Sequence, residues 1–176
     1  MCFDAGLPIF MFYLHCTQKL LKRLNAEVVE VGSSATTLGN WYATILPGKP
    51  QIAMLVNERT LVPALMPLAP AANLAKRFPG ALADILAAHG VPDSFIESEM
   101  SQMQAVKYAR TQNRSVVGIM TQFAYLAEAY RVGDKNNDLI ALSLRLAHTP
   151  CSPLYKGAVF PDRALKELTG DRGAVA

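Results

Sequence analysis

Apolar and polar positions recur along this chain with two different periods, and the change of period assigns most of its elements. Residues 12–17 run Phe, Tyr, Leu, His, Cys, Thr, an aromatic and branched stretch that predicts a strand. Residues 18–24 then place leucines at 20, 21 and 24 with Lys19, Lys22 and Arg23 between them, the spacing of a short amphipathic helix with a basic outer face. Residues 27–31 predict a brief strand ahead of a Gly/Ser/Thr loop. Two β-prone runs, 41–46 and 51–56, flank Pro47-Gly48-Lys49-Pro50, the signature of a hairpin. Asn57-Glu58-Arg59 turns the chain again into residues 60–64, which makes a three-strand meander. Pro63, Pro67 and Pro70 close it, because proline donates nothing to a sheet ladder.

From Asn73 the period becomes helical. Leu74, Phe78, Leu82, Ile85 and Leu86 share one face, and Gly90 is placed to terminate the helix. Pro79-Gly80 predicts a kink or a split within it. Ser94-Phe95-Ile96-Glu97 has the form of a capping box and predicts a further short helix. Residues 105–109 predict a strand. Residues 114–130 form the strongest helical pattern: apolar positions cover more than one face and no charge falls between Arg114 and Glu128, which predicts a central buried helix. Leu139, Leu142 and Leu146 follow, capped by Asp138 and stopped by Pro150, and a last helix is predicted over 162–168.

Together these elements predict an α+β fold: a small, largely antiparallel sheet packed against helices. The expected unit is one domain over residues 11–168, with an upstream extension over 1–10, Met11 as the natural start, and a frayed tail over 169–176. Apolar residues make up 51% of the 176 and charged residues 18%, enough to fill a core without disulfides and too apolar for a disordered chain. The net charge of +3 permits weak attraction to nucleic acid but is not the concentrated footprint of a dedicated binder. Cys2, Cys16 and Cys151 are too few and too scattered for a disulfide framework and suit a reducing compartment. The apolar run over residues 5–14 is shorter than the roughly 20 residues a membrane span needs, and it lacks a basic leader. The expected location is the cytoplasm.

Three groups of residues are candidates for chemistry. The first is Asn113, Arg114 and Ser115, at the start of the strongest helix, with Lys19 as a further contributor. Free N–H groups and the helix dipole favour an anion there, and Arg114 adds a bidentate grip. The simpler reading has Asn113 or Thr111 capping the helix while Arg114 pairs with Glu97, Glu99 or Asp138. The second group is Lys19, Lys22 and Arg23, extended by Lys49 and Arg59, as a patch for a protein partner or a nucleic-acid backbone, with Trp41 and Tyr42 as stacking faces. A solvated helix face and a core tryptophan account for the same letters. The third is His15-Cys16 with His148-x-x-Cys151. Adjacent strand residues point to opposite faces, so the first pair cannot share an ion, and no metal is expected.

Enzymatic signatures are thin. Glu97 and Glu99 diverge on a helix, and no Gly-rich phosphate loop, G-x-S-x-G or H-E-x-x-H occurs, so no cofactor is implied. Cys16 could meet His89 or His148 only through the fold.

The segments Thr17-Gln18-Lys19-Leu20-Leu21-Lys22, Gly39-Asn40-Trp41-Tyr42-Ala43 and Asn113-Arg114-Ser115-Val116-Val117-Gly118, in that order, resemble a family of uncharacterised bacterial domains that carries only a domain-of-unknown-function label. Leu142-Ser143-Leu144-Arg145-Leu146 with Thr149-Pro150 is also similar. The resemblance covers residues 11–168 and implies a stand-alone bacterial protein with a continuous helix through Phe78-Pro79-Gly80. It brings no catalytic residue. Two function classes follow: a non-enzymatic binding or regulatory module using the basic first helix and the Trp41 hairpin, or a small enzyme or anionic-ligand-binding protein with its pocket at Asn113, Arg114 and Ser115. The lack of an acid, a base and a nucleophile in recognisable company favours the first.

Overall fold

Six residues, Met11–Cys16, mostly aromatic or apolar, form strand β1, which organises the sheet by pairing in parallel on both sides. The computed structural model describes residues 9–170; most of the expected extension and tail falls outside them. After β1 comes helix α1 (Gln18–Leu24), then strands β2 (Trp41–Leu46), β3 (Ile52–Asn57) and β4 (Pro63–Pro67). Helices α2 (Leu74–Ala88) and α3 (Asp93–Gln102) lead to strand β5 (Ala105–Arg110), and α4 (Arg114–Arg131), α5 (Leu139–Ala147) and α6 (Pro161–Leu168) complete the order.

The sheet runs β4-β3-β2-β1-β5. The meander β2-β3-β4 is antiparallel as expected, whereas β1 pairs in parallel with β2 and with β5, so this α+β sheet is mixed rather than largely antiparallel. Parallel pairing follows from the two long connections, one through α1 and one through α2 and α3, which carry the chain back before the next strand begins. Prolines 63 and 67 bound β4 at the sheet edge, where a missing N–H costs no ladder bond to a further strand. Of the strand expected over 27–31, a single parallel bridge from Val28 to Tyr108 is present.

Alternating side chains feed two apolar layers. Phe12, Leu14, Cys16, Trp41, Ala43 and Leu55 face one side, under α1, α2 and α6. Tyr42, Leu46, Met54 and Val56 face the other, under α4 and α5. β3 is buried at all six positions because both of its faces are covered.

Three local expectations are corrected. The longest helix, α4, covers the second face instead of lying enclosed: Val116, Ile119, Met120, Phe123 and Ala127 are buried, while Gln122 and Tyr125 stand in solvent, Tyr125 being 74% exposed. Between Arg114 and Glu128 its outward positions are uncharged, and that lack of charge, not burial, gave the apolar pattern. α2 passes unbroken through Pro79. Its face of Leu74, Phe78, Leu82, Ile85 and Leu86 stays locked in the core and holds the helix together, while Ala75 and Pro79 line a surface cleft. α3 starts at Asp93 with no side-chain cap, since Pro92 precedes it and its carbonyl takes the Phe95 and Ile96 N–H groups; Glu97 is exposed.

Candidate functional site

The helix-start candidate resolves into a set of spent donors. The Asn113 side chain accepts from the N–H groups of Ser115 and Val116 at 3.0 and 3.3 Å. The Asn113 carbonyl takes the Val117 N–H, and the Asn113 N–H itself donates to the Tyr42 hydroxyl at 3.1 Å. An anion at this terminus therefore has the Arg114 main-chain N–H and the exposed Arg114 guanidinium to meet it, with no further backbone donor in that first turn. Arg114 makes no ion pair with Glu97, Glu99 or Asp138. Asp138 is occupied in capping α5 through Ile140 and Ala141.

The polar cleft beside Asn113 is lined by Ser33, Ser34, Asn40, Glu58 and Arg59. Its groups also bond one another: Ser34 donates to Asn40 at 2.7 Å, Asn40 donates to the Gly32 carbonyl, and Arg59 donates to the Thr37 carbonyl at 2.9 Å. Lys19 does not join this cleft. It is carried by α1, on the opposite face of the sheet from α4.

The basic helix is a different matter. Lys19, Lys22 and Arg23 are all exposed on α1, and the structure adds Arg110 to them. Arg110 ends β5 directly opposite Cys16, the last residue of β1. With Gln18, Lys22, Asn25 and Val28 it lines a cleft of about 270 Å³. Arg110 and Val28 also line the adjoining cleft, about 670 Å³, with Glu30, Val31 and Gln112; Glu30 is the one carboxylate against the cations of Lys22 and Arg110. The two make one groove with Arg110 at its middle and with Val28 and Val31, 38% and 41% exposed, on its wall. Sequence reasoning missed Arg110 and the two valines, and placed Gln112 with the helix-start candidate instead of this groove. The available signal was a charged residue closing a strand, but Lys22, which lines the same cleft, is 88 residues away in the chain.

Trp41 and Tyr42 are each 1% exposed and offer no stacking face to solvent. Trp41 packs edge-on against Phe78, and Tyr42 lies flat against His15. Lys49 stands apart in the β2–β3 turn, which lies against Arg131 at the end of α4. His15 and Cys16 do point to opposite faces, His15 onto Tyr42 and Cys16 into the first apolar layer. Among the described residues no three His, Cys, Asp or Glu side chains gather where a metal could sit. Burial pushes the Cys16 thiol up to about 12 and Cys151 up to about 11, so neither is a thiolate near neutral pH. The Cys16 thiol's one hydrogen bond goes to the Leu14 carbonyl.

Glu99, a candidate partner of Arg114 by sequence, is instead buried and turned to a loop. Glu99, 1% exposed, accepts the main-chain N–H groups of Thr37 and Leu38 at 3.0 Å each. This carboxylate pins the loop ahead of β2, and burial raises it above the usual carboxylate range despite those two bonds. With each carboxylate oxygen taking one N–H of the same loop, its role is to hold that loop.

A family model described as a domain of unknown function, DUF6933, matches residues 13–164. The chain belongs to that family. No curated protein and no solved structure matches it. The DUF6933 match opens within β1 and ends inside α6, and it contains all four segments on which the resemblance was drawn. In this DUF6933 chain those segments perform structural tasks: Gly39 takes a φ of 77° at a turn against the Arg59 side chain, Trp41 fills the core and Asn113 caps α4. No helix of the described residues is long and apolar enough to cross a membrane.

Proposed function

We propose that this DUF6933 domain is a non-enzymatic binding or regulatory module that engages an anionic partner through the groove centred on Arg110. The observation that carries the reading is the grouping of Arg110 and Lys22 in one groove, with Lys19 and Arg23 on the same helix. No described carboxylate lies within 4.0 Å of any of these four cations. Cations without an internal partner attract an acidic surface and steer its approach.

An acidic segment of another protein suits the groove better than a nucleic acid does. Burial of Trp41 and Tyr42 removes the stacking platforms a single-strand reader uses. The exposed Val28 and Val31 instead give the groove an apolar contribution, as protein interfaces have. A bacterial, cytoplasmic setting is part of the proposal, supported by the buried free thiols of Cys16 and Cys151.

Titrating the protein with an oligoglutamate peptide and, separately, with a single-stranded oligonucleotide, while following amide shifts, tests the proposal. Peptide-induced shifts confined to residues 18–24, 28–31 and 110–112, lost on adding salt and in the Lys22→Glu, Arg110→Glu double variant, are expected. Stronger binding of the oligonucleotide at the same residues would redirect the partner class. Silence at those residues with both probes would end the proposal.

A further inference from the structure

A second cleft, far from the Arg110 groove in its lining, lies between the β3–β4 turn, the loop after α5 and helix α6. Its volume of about 480 Å³ falls among those of small-molecule sites, roughly 300–1,000 Å³. Arg59 and Thr60 contribute from the turn, Leu154, Lys156 and Ala158 from the loop, and Ala164, Glu167 and Leu168 from α6.

Both of its loop walls are held in unusual backbone. Leu61, next to Thr60, has φ 60°, and Val159, next to Ala158, has φ 67°. Among the described residues the other two non-glycine residues in that region are asparagines, which tolerate it; a leucine and a β-branched valine do not. Each is a disfavoured conformation that persists only where its surroundings over-determine it. The surroundings do so here. Asn57, fully buried, accepts from the Arg59 N–H, the Thr60 N–H and the Thr60 hydroxyl, and the Asn57 carbonyl takes the Leu61 N–H at 2.9 Å. Across the cleft, Cys151 and Val159 close the loop by a main-chain bond of 2.9 Å, and the Val159 N–H returns to the Leu154 carbonyl. Strain of this kind, next to lining residues on two sides of one open cleft, fits a preorganised ligand clamp.

The lining chooses the ligand class. Arg59 has one guanidinium nitrogen fixed by the Thr37 carbonyl, which orients the fork and leaves its other donors unspent. Lys156 supplies a second cation, while Leu154, Ala158, Ala164 and Leu168 supply apolar surface. Two cations against the single carboxylate of Glu167 leave the cleft net positive. We infer that this cleft binds a small amphipathic organic acid, its carboxylate held by Arg59 and Lys156 and its apolar body on Leu154 and α6.

Octanoate is the probe, octanamide its neutral control, and amide shifts on the full chain the readout. Saturable shifts at Arg59, Thr60, Leu154, Ala158 and Glu167 at millimolar octanoate, absent with octanamide, are expected. Lys156→Gln should weaken binding about 5- to 10-fold, the effect of one charge-assisted contact. Glu167→Gln should tighten it, because it removes the repelling carboxylate. Both positions are exposed, so an unchanged shift map elsewhere verifies the fold. No saturation with octanoate, equal response to the amide, or the same sign of effect from the two variants would each overturn the inference.

Discussion

Tyr42 and Asn113 meet across the second face of the sheet, the Asn113 main-chain N–H donating to the phenol oxygen at 3.1 Å. That bond joins the central strand β2 to the start of α4, and beneath it the Tyr42 ring lies against the His15 imidazole with centroids 4.6 Å apart and planes 7° from parallel. His15 in turn reaches the Arg110 carbonyl through Nδ1 at 3.0 Å. Both ends of the 110–113 connection are thus tied to ring side chains on neighbouring strands.

The Asn113 cap is therefore expected to be worth a measurable share of stability. Asn113→Ala should lower the unfolding free energy by about 1 kcal/mol, within the ~0.5–2 kcal/mol range of such caps, whereas Asn113→Asp should change it little because it keeps the accepting oxygen. Urea denaturation of the two variants checks this. Equal losses would mean that the side-chain amide, not the capping oxygen, carries the role.

Glu99 anchors the loop ahead of β2 more strongly. Glu99→Ala strands the Thr37 and Leu38 N–H groups, and Leu38 is fully buried. A loss of about 1–3 kcal/mol is expected, the cost of the one unsatisfied buried donor at Leu38, since Thr37 is exposed to water. Glu99→Gln keeps an accepting oxygen and should lose less. Denaturation midpoints for the pair decide it; an alanine variant no worse than the glutamine one would remove the anchoring role.

The elements were legible where local period and caps decide the outcome. α1 has the bounds its leucine spacing predicts, and Asp138 caps α5 as its position before Leu139 suggests. What failed depends on partners distant in the chain. Parallel pairing of β1 with β5 joins residues nearly a hundred positions apart, and no local pattern encodes it. Pro79 reads as a helix breaker because the letters do not show Phe78 packed between Phe12 and Trp41. For the same reason the basic residues of α1 were legible but their companion Arg110 was not, and Trp41 looked available for stacking until its burial placed it in the core.

Acid should destabilise the fold through His89. This residue caps the C-terminus of α2, and burial pushes it down to about 4, with Asp162 opposing and His148 and Lys166 assisting. Because the folded state resists protonation while the unfolded chain takes a proton near 6.5, stability is full above about 6.5 and is lost as pH falls toward 4. The partly exposed setting screens the effect, so a loss of about 1–2 kcal/mol is expected rather than the full value of the shift. Glu99 runs the other way, its raised carboxyl favouring the folded state as protons bind and costing stability as pH rises above the ordinary range. His89→Gln should flatten the acid limb between pH 6.5 and 4 and leave the Glu99 contribution in place. Chemical denaturation at a series of pH values measures both; an unchanged acid limb in the variant would clear His89 of the role.

Pro79 offers a way to gain stability. It stands inside α2, where it removes one helical N–H and crowds the Ala75 carbonyl, at a cost of about 3 kcal/mol in an ordinary helix interior. The helix survives because its buried face holds it, so the penalty is carried and not relieved. Pro79→Ala should restore the bond to Ala75 without disturbing Phe78, which is fully buried beside it. The substitution also loosens the unfolded chain, an effect of up to ~1 kcal/mol in the opposite direction. The net expectation is a stabilisation of about 1–2 kcal/mol, visible as a rise in Tm of several degrees. A fall in Tm would mean that α2 bends at this proline to fit the sheet, and that the straightened helix no longer seats Phe78 against Trp41.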